Sequence, residues 1–184
     1  ISLDQAKRLR DGHVKRRQSY ASANVLGRPP AAIAGELFVI LCGQDETLSR
    51  LKSVVTAFGP KIFVAGNDPV QANLAKLSLN FMIMSTIEQM AEVFALNEKA
   101  GTLPSTMFEI MTGSFYNAPV HKNYGKLMVE GTYDTPGAPV TLGLKDTEMF
   151  LDAGHTYQVP LPYASIARDR FLAAMAAGDS ERDF

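Results

Sequence analysis

The sequence predicts a mostly α-helical protein, in which a short α/β segment leads into an all-helical domain. Three observations carry this. The first third alternates brief β-rich runs with helical ones. A stretch of about 30 residues then has neither Gly nor Pro between its first turn and Gly101. The remainder consists of helical runs punctuated by Pro and Gly. The expected division is 1–66 for the α/β part and 67–184 for the long helix and helical domain.

Ser2 with Gln5 three residues later is a capping-box pattern, so a helix begins at once in "SLDQAKRLRDGH". Lys7, Arg8, Arg10, Lys15, Arg16 and Arg17 make this segment basic, the pattern of a solvated face. "YASANV" alternates weakly and reads as a short strand. "LGRPPAAIAGE" reads as a loop with a helical turn, broken by Gly27, Pro29 and Pro30. "ELFVILC" is a strand by its β-branched and aromatic content. "DETLSRLKSVVTAF" sets Leu48, Leu51, Val54, Val55 and Phe58 near helical spacing, and Gly59 and Pro60 end it. "KIFVA" is another short strand.

The long helix follows. Asp68 fits its N-cap and Pro69 its first helical position. Gly101 fits the stop, with Lys99 in the last turn. At 1.5 Å per residue it is about 45 Å long. From Leu74 to Met90 it is apolar on nearly all sides, so other helices or a second subunit must wrap it, and a homodimer is expected. Pro104 opens "PSTMFEIMTG" and "YGKLMVEG" is helical. "TYDTPGAPVTLG" reads as a loop or turn; "LKDTEMFLDAG" and "PYASIARDRFLAAMAAG" are the last helices.

Composition narrows the partners. Lys and Arg number 18 against 19 Asp and Glu, so neither nucleic acid nor a membrane surface is the expected partner. No apolar run approaches the roughly 18 residues of a membrane helix. A single cysteine, Cys42, permits no internal disulfide and fits a reducing, cytoplasmic compartment. The chain opens at Ile1 inside a capping pattern and without Met, which reads as a piece of a longer chain.

The chemistry centres on "NLAKLSLNF". Lys76 and Asn80 sit at i and i+4 on one helix face amid Leu74, Leu77, Leu79, Phe81 and Met82. An ammonium there can give a proton to an oxygen, or take one back as an amine, and burial eases that exchange. The carboxamide of Asn80 can orient the same oxygen. The spacing equally suits a lysine whose stem covers apolar surface while its head reaches solvent. His13, His121 and His155 have no ligand spacing, so no metal site is expected. Cys42, at the end of a strand, reads as a small buried hydrophobe. Lys145 and Asp146, after Gly143, fit an ordinary exposed ion pair.

Four segments in order, "SANVLGRPPAAIAGELFVILCG", "AKLSLNF", "GLKDTEMFLDAG" and "VPLPYASIARDRF", resemble the β-hydroxyacid dehydrogenase family. That family includes the 3-hydroxyisobutyrate dehydrogenases and, more distantly, 6-phosphogluconate dehydrogenase. "KLSLN" looks like its Lys-x-x-x-Asn signature and "LKD" like its Lys-Asp pair. The resemblance implies that 1–66 closes an NAD(P)-binding Rossmann domain. It makes 67–184 an interdomain helix and a 6-phosphogluconate-dehydrogenase-like helical domain for catalysis and dimerisation. It also implies NADP or NAD as cofactor and hydride transfer to or from a small carbonyl, hydroxy or imine substrate. Lys76 would be the general acid/base, with Asn80 holding the substrate or the lysine. Leu26, Gly27 and Arg28 would meet the substrate, and Lys145 would lie near the nicotinamide or its ribose and phosphates.

Two departures matter. No Gly-x-Gly-x-x-Gly occurs, so this chain alone is expected to bind the dinucleotide poorly and to be inactive. Where the family reads Ser-Gly-Gly, this chain has Leu26-Gly27-Arg28. Leucine offers no hydrogen bond to a carboxylate, so a bulkier, less polar substrate is expected; Arg28 could instead clamp a carboxylate or point to solvent. The alternative function is a non-catalytic dimerisation or scaffold module of the same fold.

Overall fold

Ser2 caps the first helix in the expected way. Its hydroxyl accepts from the Gln5 amide, and the Gln5 side chain accepts from the Ser2 amide. The structure, a computed structural model, describes residues 1–134 and 137–184. Its elements are α1 (Leu3–Lys15), β1 (Ala21–Leu26), α2 (Pro29–Ile33), β2 (Phe38–Gly43), α3 (Asp45–Thr56), β3 (Lys61–Gly66), α4 (Pro69–Lys99), α5 (Pro104–Gly113), α6 (Pro119–Glu130), α7 (Val140–Tyr157) and α8 (Pro162–Ala176). The mostly helical class with a small α/β part is therefore the one observed. Two compact units form: Ile1–Leu79 with Glu148–Pro160, and Asn80–Thr147 with Leu161–Phe184.

In the first unit the sheet order is β1-β2-β3. β1 pairs antiparallel with β2, from Ala21 opposite Gly43 to Leu26 opposite Phe38. β2 pairs parallel with β3. Alternation along β2 divides the core between two faces. Val39 and Leu41 pack with Leu48 and Val55 of α3, and with Phe58 and Ile62. Ile40 and Cys42 pack on the other face with Ala72 of α4. Gly59 closes the first cluster. A Cβ there would collide with the Val39 side chain and come within 2.7 Å of the Leu37 carbonyl oxygen.

The second unit is helical. Met90 and Phe94 of α4 pack with Met111 of α5 and Tyr124 of α6. Met84 packs with Val140 of α7 and with Ala167 and Phe171 of α8. Close approach is made by two glycines. A Cβ on Gly125 would lie 2.9 Å from the Phe108 ring, and one on Gly143 would lie 2.6 Å from the Phe171 ring. Among the described residues no helix is long and apolar enough to cross a membrane.

Several boundaries differ from the sequence reading. α6 begins at Pro119, five residues before "YGKLMVEG", because Pro at the first helical position needs no amide partner. The end of the expected loop "TYDTPGAPVTLG" is already α7, which starts at Val140 after Pro139. Thr135 and Pro136 of that loop lie outside the described residues. Asp68 does cap α4: its Oδ1 accepts from the Val70 amide at 3.0 Å.

Candidate functional site

β1 sends Ala21 to the α3 face of the sheet, and Ser22, Asn24 and Leu26 to the face that carries the first turns of α4. Asn73, only 3 % exposed, joins the two elements. Its Nδ2 donates to Ser22 Oγ at 3.1 Å and to the Pro69 carbonyl oxygen at 3.2 Å. Asn24 Nδ2 donates to the same Ser22 oxygen at 2.9 Å. Leu26 and Ala75 pack against Ile40, Cys42 and Ala72.

The directions of these elements set their levels. β1 opposes β2, β2 parallels β3, and α4 turns back over the sheet after β3. β1 and α4 therefore run the same way. Lys76, about one turn after Asn73 on α4, is half-buried. Beyond Leu26, Gly27 has φ +145°, which favours glycine, and a Cβ on it would lie 2.6 Å from Leu37 Cδ2. That turn brings half-buried Arg28 to the N-cap of α2, where its carbonyl oxygen accepts from the Ala31 amide at 3.0 Å.

Asn80, one turn after Lys76 on α4, belongs to the second unit. Its Nδ2 donates to Asp146 Oδ2 at 2.7 Å. Lys145 Nζ lies 3.3 Å from Asp146 Oδ1; the lysine is 55 % exposed and the aspartate 13 %. Thr147, 1 % exposed, fixes this turn of α7. Its Oγ1 donates to the Gly143 carbonyl at 2.9 Å and lies 3.0 Å from Met84 Sδ. The result is a carboxamide whose nitrogen is held by a carboxylate, beside a half-exposed ammonium. A charged acceptor makes this hydrogen bond a strong one. For a dinucleotide, the group of this arrangement that fits is Lys145. A braced but exposed ammonium suits ribose hydroxyl and phosphate oxygens.

Sequence reasoning named Lys76, Asn80, Lys145, Leu26, Gly27 and Arg28. The structure gathers Leu26 with the first turns of α4, and joins Asn80 to Lys145 through Asp146. It adds Asp146 as the Asn80 partner, and Ser22, Asn24 and Asn73 as a polar link between β1 and α4. Asn73 lies three residues before Lys76, a spacing that already sets them on one helix face. His13 stacks on Tyr20 at 4.8 Å and His121 meets Tyr116 edge-on at 5.4 Å. Cys42 is fully buried, and burial raises its thiol pKa above the ordinary value. Two clefts lie elsewhere. One of about 590 Å³ is lined by Arg10, Arg17, Tyr20 and Asp68, and one of about 310 Å³ by Met84, Glu88, Arg170 and Phe171. Neither is lined by Lys76, Asn80 or Lys145, so the chemistry of the side chains, not cleft size, selects the candidate site.

Residues 71–184 match the family model described as "NAD-binding of NADP-dependent 3-hydroxyisobutyrate dehydrogenase". The uncharacterized oxidoreductase YfjR of Bacillus subtilis is 33 % identical over 184 residues, which are 100 % of this chain and 64 % of that protein. The L-threonate dehydrogenase of Escherichia coli K12 is 30 % identical over 161 residues, 88 % of this chain and 53 % of that protein. The crystal structure of a 3-hydroxyisobutyrate dehydrogenase from Salmonella typhimurium superimposes with a TM-score of 0.89 at 27 % identity, covering 100 % of this chain and 64 % of that one. The chain thus spans between half and two-thirds of the length of these relatives.

Proposed function

Since the chain belongs to the family described as NAD-binding of NADP-dependent 3-hydroxyisobutyrate dehydrogenase, we propose that the enzyme carrying it is an NAD(P)-dependent oxidoreductase. It interconverts a hydroxy acid and its carbonyl counterpart. NAD or NADP is the cofactor of that family. Bound dinucleotide supplies the hydride acceptor in oxidation and the donor in reduction.

This chain's own residues handle the proton and the positioning. In oxidation Lys76, as the amine, takes the hydroxyl proton on Nζ as the C–O bond becomes a carbonyl. In reduction the ammonium returns that proton to the same oxygen. The observation that carries this reading is the fixed orientation of Asn80. Its nitrogen faces Asp146 at 2.7 Å. Its amide oxygen is therefore the atom left to accept a bond from a substrate hydroxyl. Lys145 holds cofactor oxygens, and Leu26, Gly27 and Arg28 form the substrate side at the end of β1. Residues 1–66 close the nucleotide-binding domain and 67–184 form the catalytic and dimerisation part.

The test is the reduction of NAD⁺ or NADP⁺ by hydroxy acids, measured with the full-length enzyme. Turnover of at least one acid that depends on the dinucleotide is expected. Its absence across both nucleotides overturns the reading in favour of a scaffold role. The enzyme works in the cytoplasm as a homodimer. Met82 at 61 % and Leu96 at 71 % exposure leave apolar surface on α4 for a second copy. Light scattering at low micromolar concentration is expected to give the mass of two chains, and a clean monomer argues against the dimer.

A further inference from the structure

In the first unit the carboxyl ends of β2 and β3 share one edge of the sheet with the start of β1, which runs against them. The cleft of about 590 Å³ opens at that edge. Gln44 follows β2, Asn67 follows β3 and Tyr20 precedes β1, and all three line it. From here α3 leaves over the Val39 and Leu41 face of the sheet, while α4 leaves over the Ile40 and Cys42 face. Helices that follow adjacent parallel strands and part to opposite faces leave a crevice beyond the strand ends, the place where open α/β sheets take ligands. The volume is that of a small-molecule site.

The charges in the cleft select what fits. Arg10, Arg17, Glu46 and Asp68 line it. Arg10 Nη1 binds Asp68 Oδ2 at 2.7 Å, and the other Asp68 oxygen caps α4, so these two charges satisfy each other. Arg17 and Glu46 are exposed, and among the described residues neither forms an ion pair. The cleft therefore offers one cation and one anion held apart. An anionic ligand is repelled by Glu46 and a cationic one by Arg17. A molecule that carries both a carboxylate and an ammonium meets a partner for each. We propose that this cleft, which Lys76 does not line, is a binding site for a zwitterion, a free amino acid or a short peptide. Arg17 takes the carboxylate through its guanidinium fork, and Glu46 takes the ammonium.

The experiment is titration calorimetry of the full-length protein with L-alanine and with glycylglycine. N-acetylglycylglycine keeps only the carboxylate, and glycylglycine amide keeps only the ammonium. At least one zwitterion is expected to bind; tighter binding of L-alanine marks an amino-acid site, and of glycylglycine a peptide site. Glycylglycine is expected to bind about tenfold more tightly than either blocked form, the scale of one charge-assisted hydrogen bond. With Arg17→Gln the peptide binds no better than its amide, and with Glu46→Gln no better than its acetylated form. A merely structural effect does not divide in this way. Arg17→Lys, which keeps the charge, retains most of the affinity. Both side chains are exposed, so the variants are expected to fold. Lys76→Ala is expected to bind as wild type does, which separates this site from the catalytic face. Three results overturn the proposal: no zwitterion bound at millimolar concentration, a blocked peptide that binds wild type as well as the free one, or an affinity that neither Arg17→Gln nor Glu46→Gln changes.

Discussion

Lys76→Ala in the full-length enzyme is expected to lower kcat by about 10²-fold or more, the scale of a general acid/base. The variant is expected to stay folded, because the ammonium is only half-buried and removing it opens no core cavity. Lys76→Arg separates proton transfer from charge. Guanidinium keeps the positive charge but does not release a proton near neutral pH, so it is not expected to restore the rate. Steady-state kinetics with saturating dinucleotide, alongside circular dichroism, make the measurement. Activity within a few-fold of wild type would leave Lys76 as a lysine that merely covers apolar surface, and the proton-transfer role would fail.

The second large effect is on stability. Phe171→Ala is expected to destabilise the second unit by about 3–5 kcal/mol, the range for deleting a buried aromatic side chain. Phe171 is 9 % exposed and packs with Met84, Val140 and Ala167. Its ring meets Phe184 edge-on at 5.7 Å and fills the space that Gly143 leaves open. It also lines the 310 Å³ cleft. Such a loss is a large part of a typical domain's stability. Leu172→Ala is the control, since the neighbouring leucine is 46 % exposed and is expected to cost far less. Urea unfolding followed by circular dichroism compares them. A Phe171→Ala cost below about 1 kcal/mol would contradict the packing described.

Local signals in the sequence found most of the elements. Ser2 with Gln5, and Asp68 with Pro69, mark helix starts through backbone chemistry that operates within four residues. Lys76 and Asn80 were legible for the same reason, as one helix turn sets their spacing. What was not legible depends on distant residues. Asn80 and Asp146 are separated by 66 positions, and Ser22 and Asn73 by 51. Period-two alternation in "YASANV" marks its polar residues as one face, yet that face looks solvated until α4 covers it. Leu26 shows the converse. The resemblance makes it a substrate-side residue, but folding also places it on the cluster of Ile40, Cys42 and Ala72. The resemblance to β-hydroxyacid dehydrogenases was visible because it lies in the order of several short motifs, and the family match over 71–184 bears it out.

Cys42, sealed between β2 and the first turns of α4, makes the sheet report on its own integrity. It is the chain's single thiol, has no exposed surface, and is disfavoured as the reactive thiolate by that burial. An alkylating reagent can reach it only in molecules where α4 has momentarily lifted from the strands. The rate of modification in dilute reagent is then a clock for that opening, set by its free energy. The same helix turns carry Lys76, so the chain holds a built-in gauge of how often its proposed proton-transfer face comes apart.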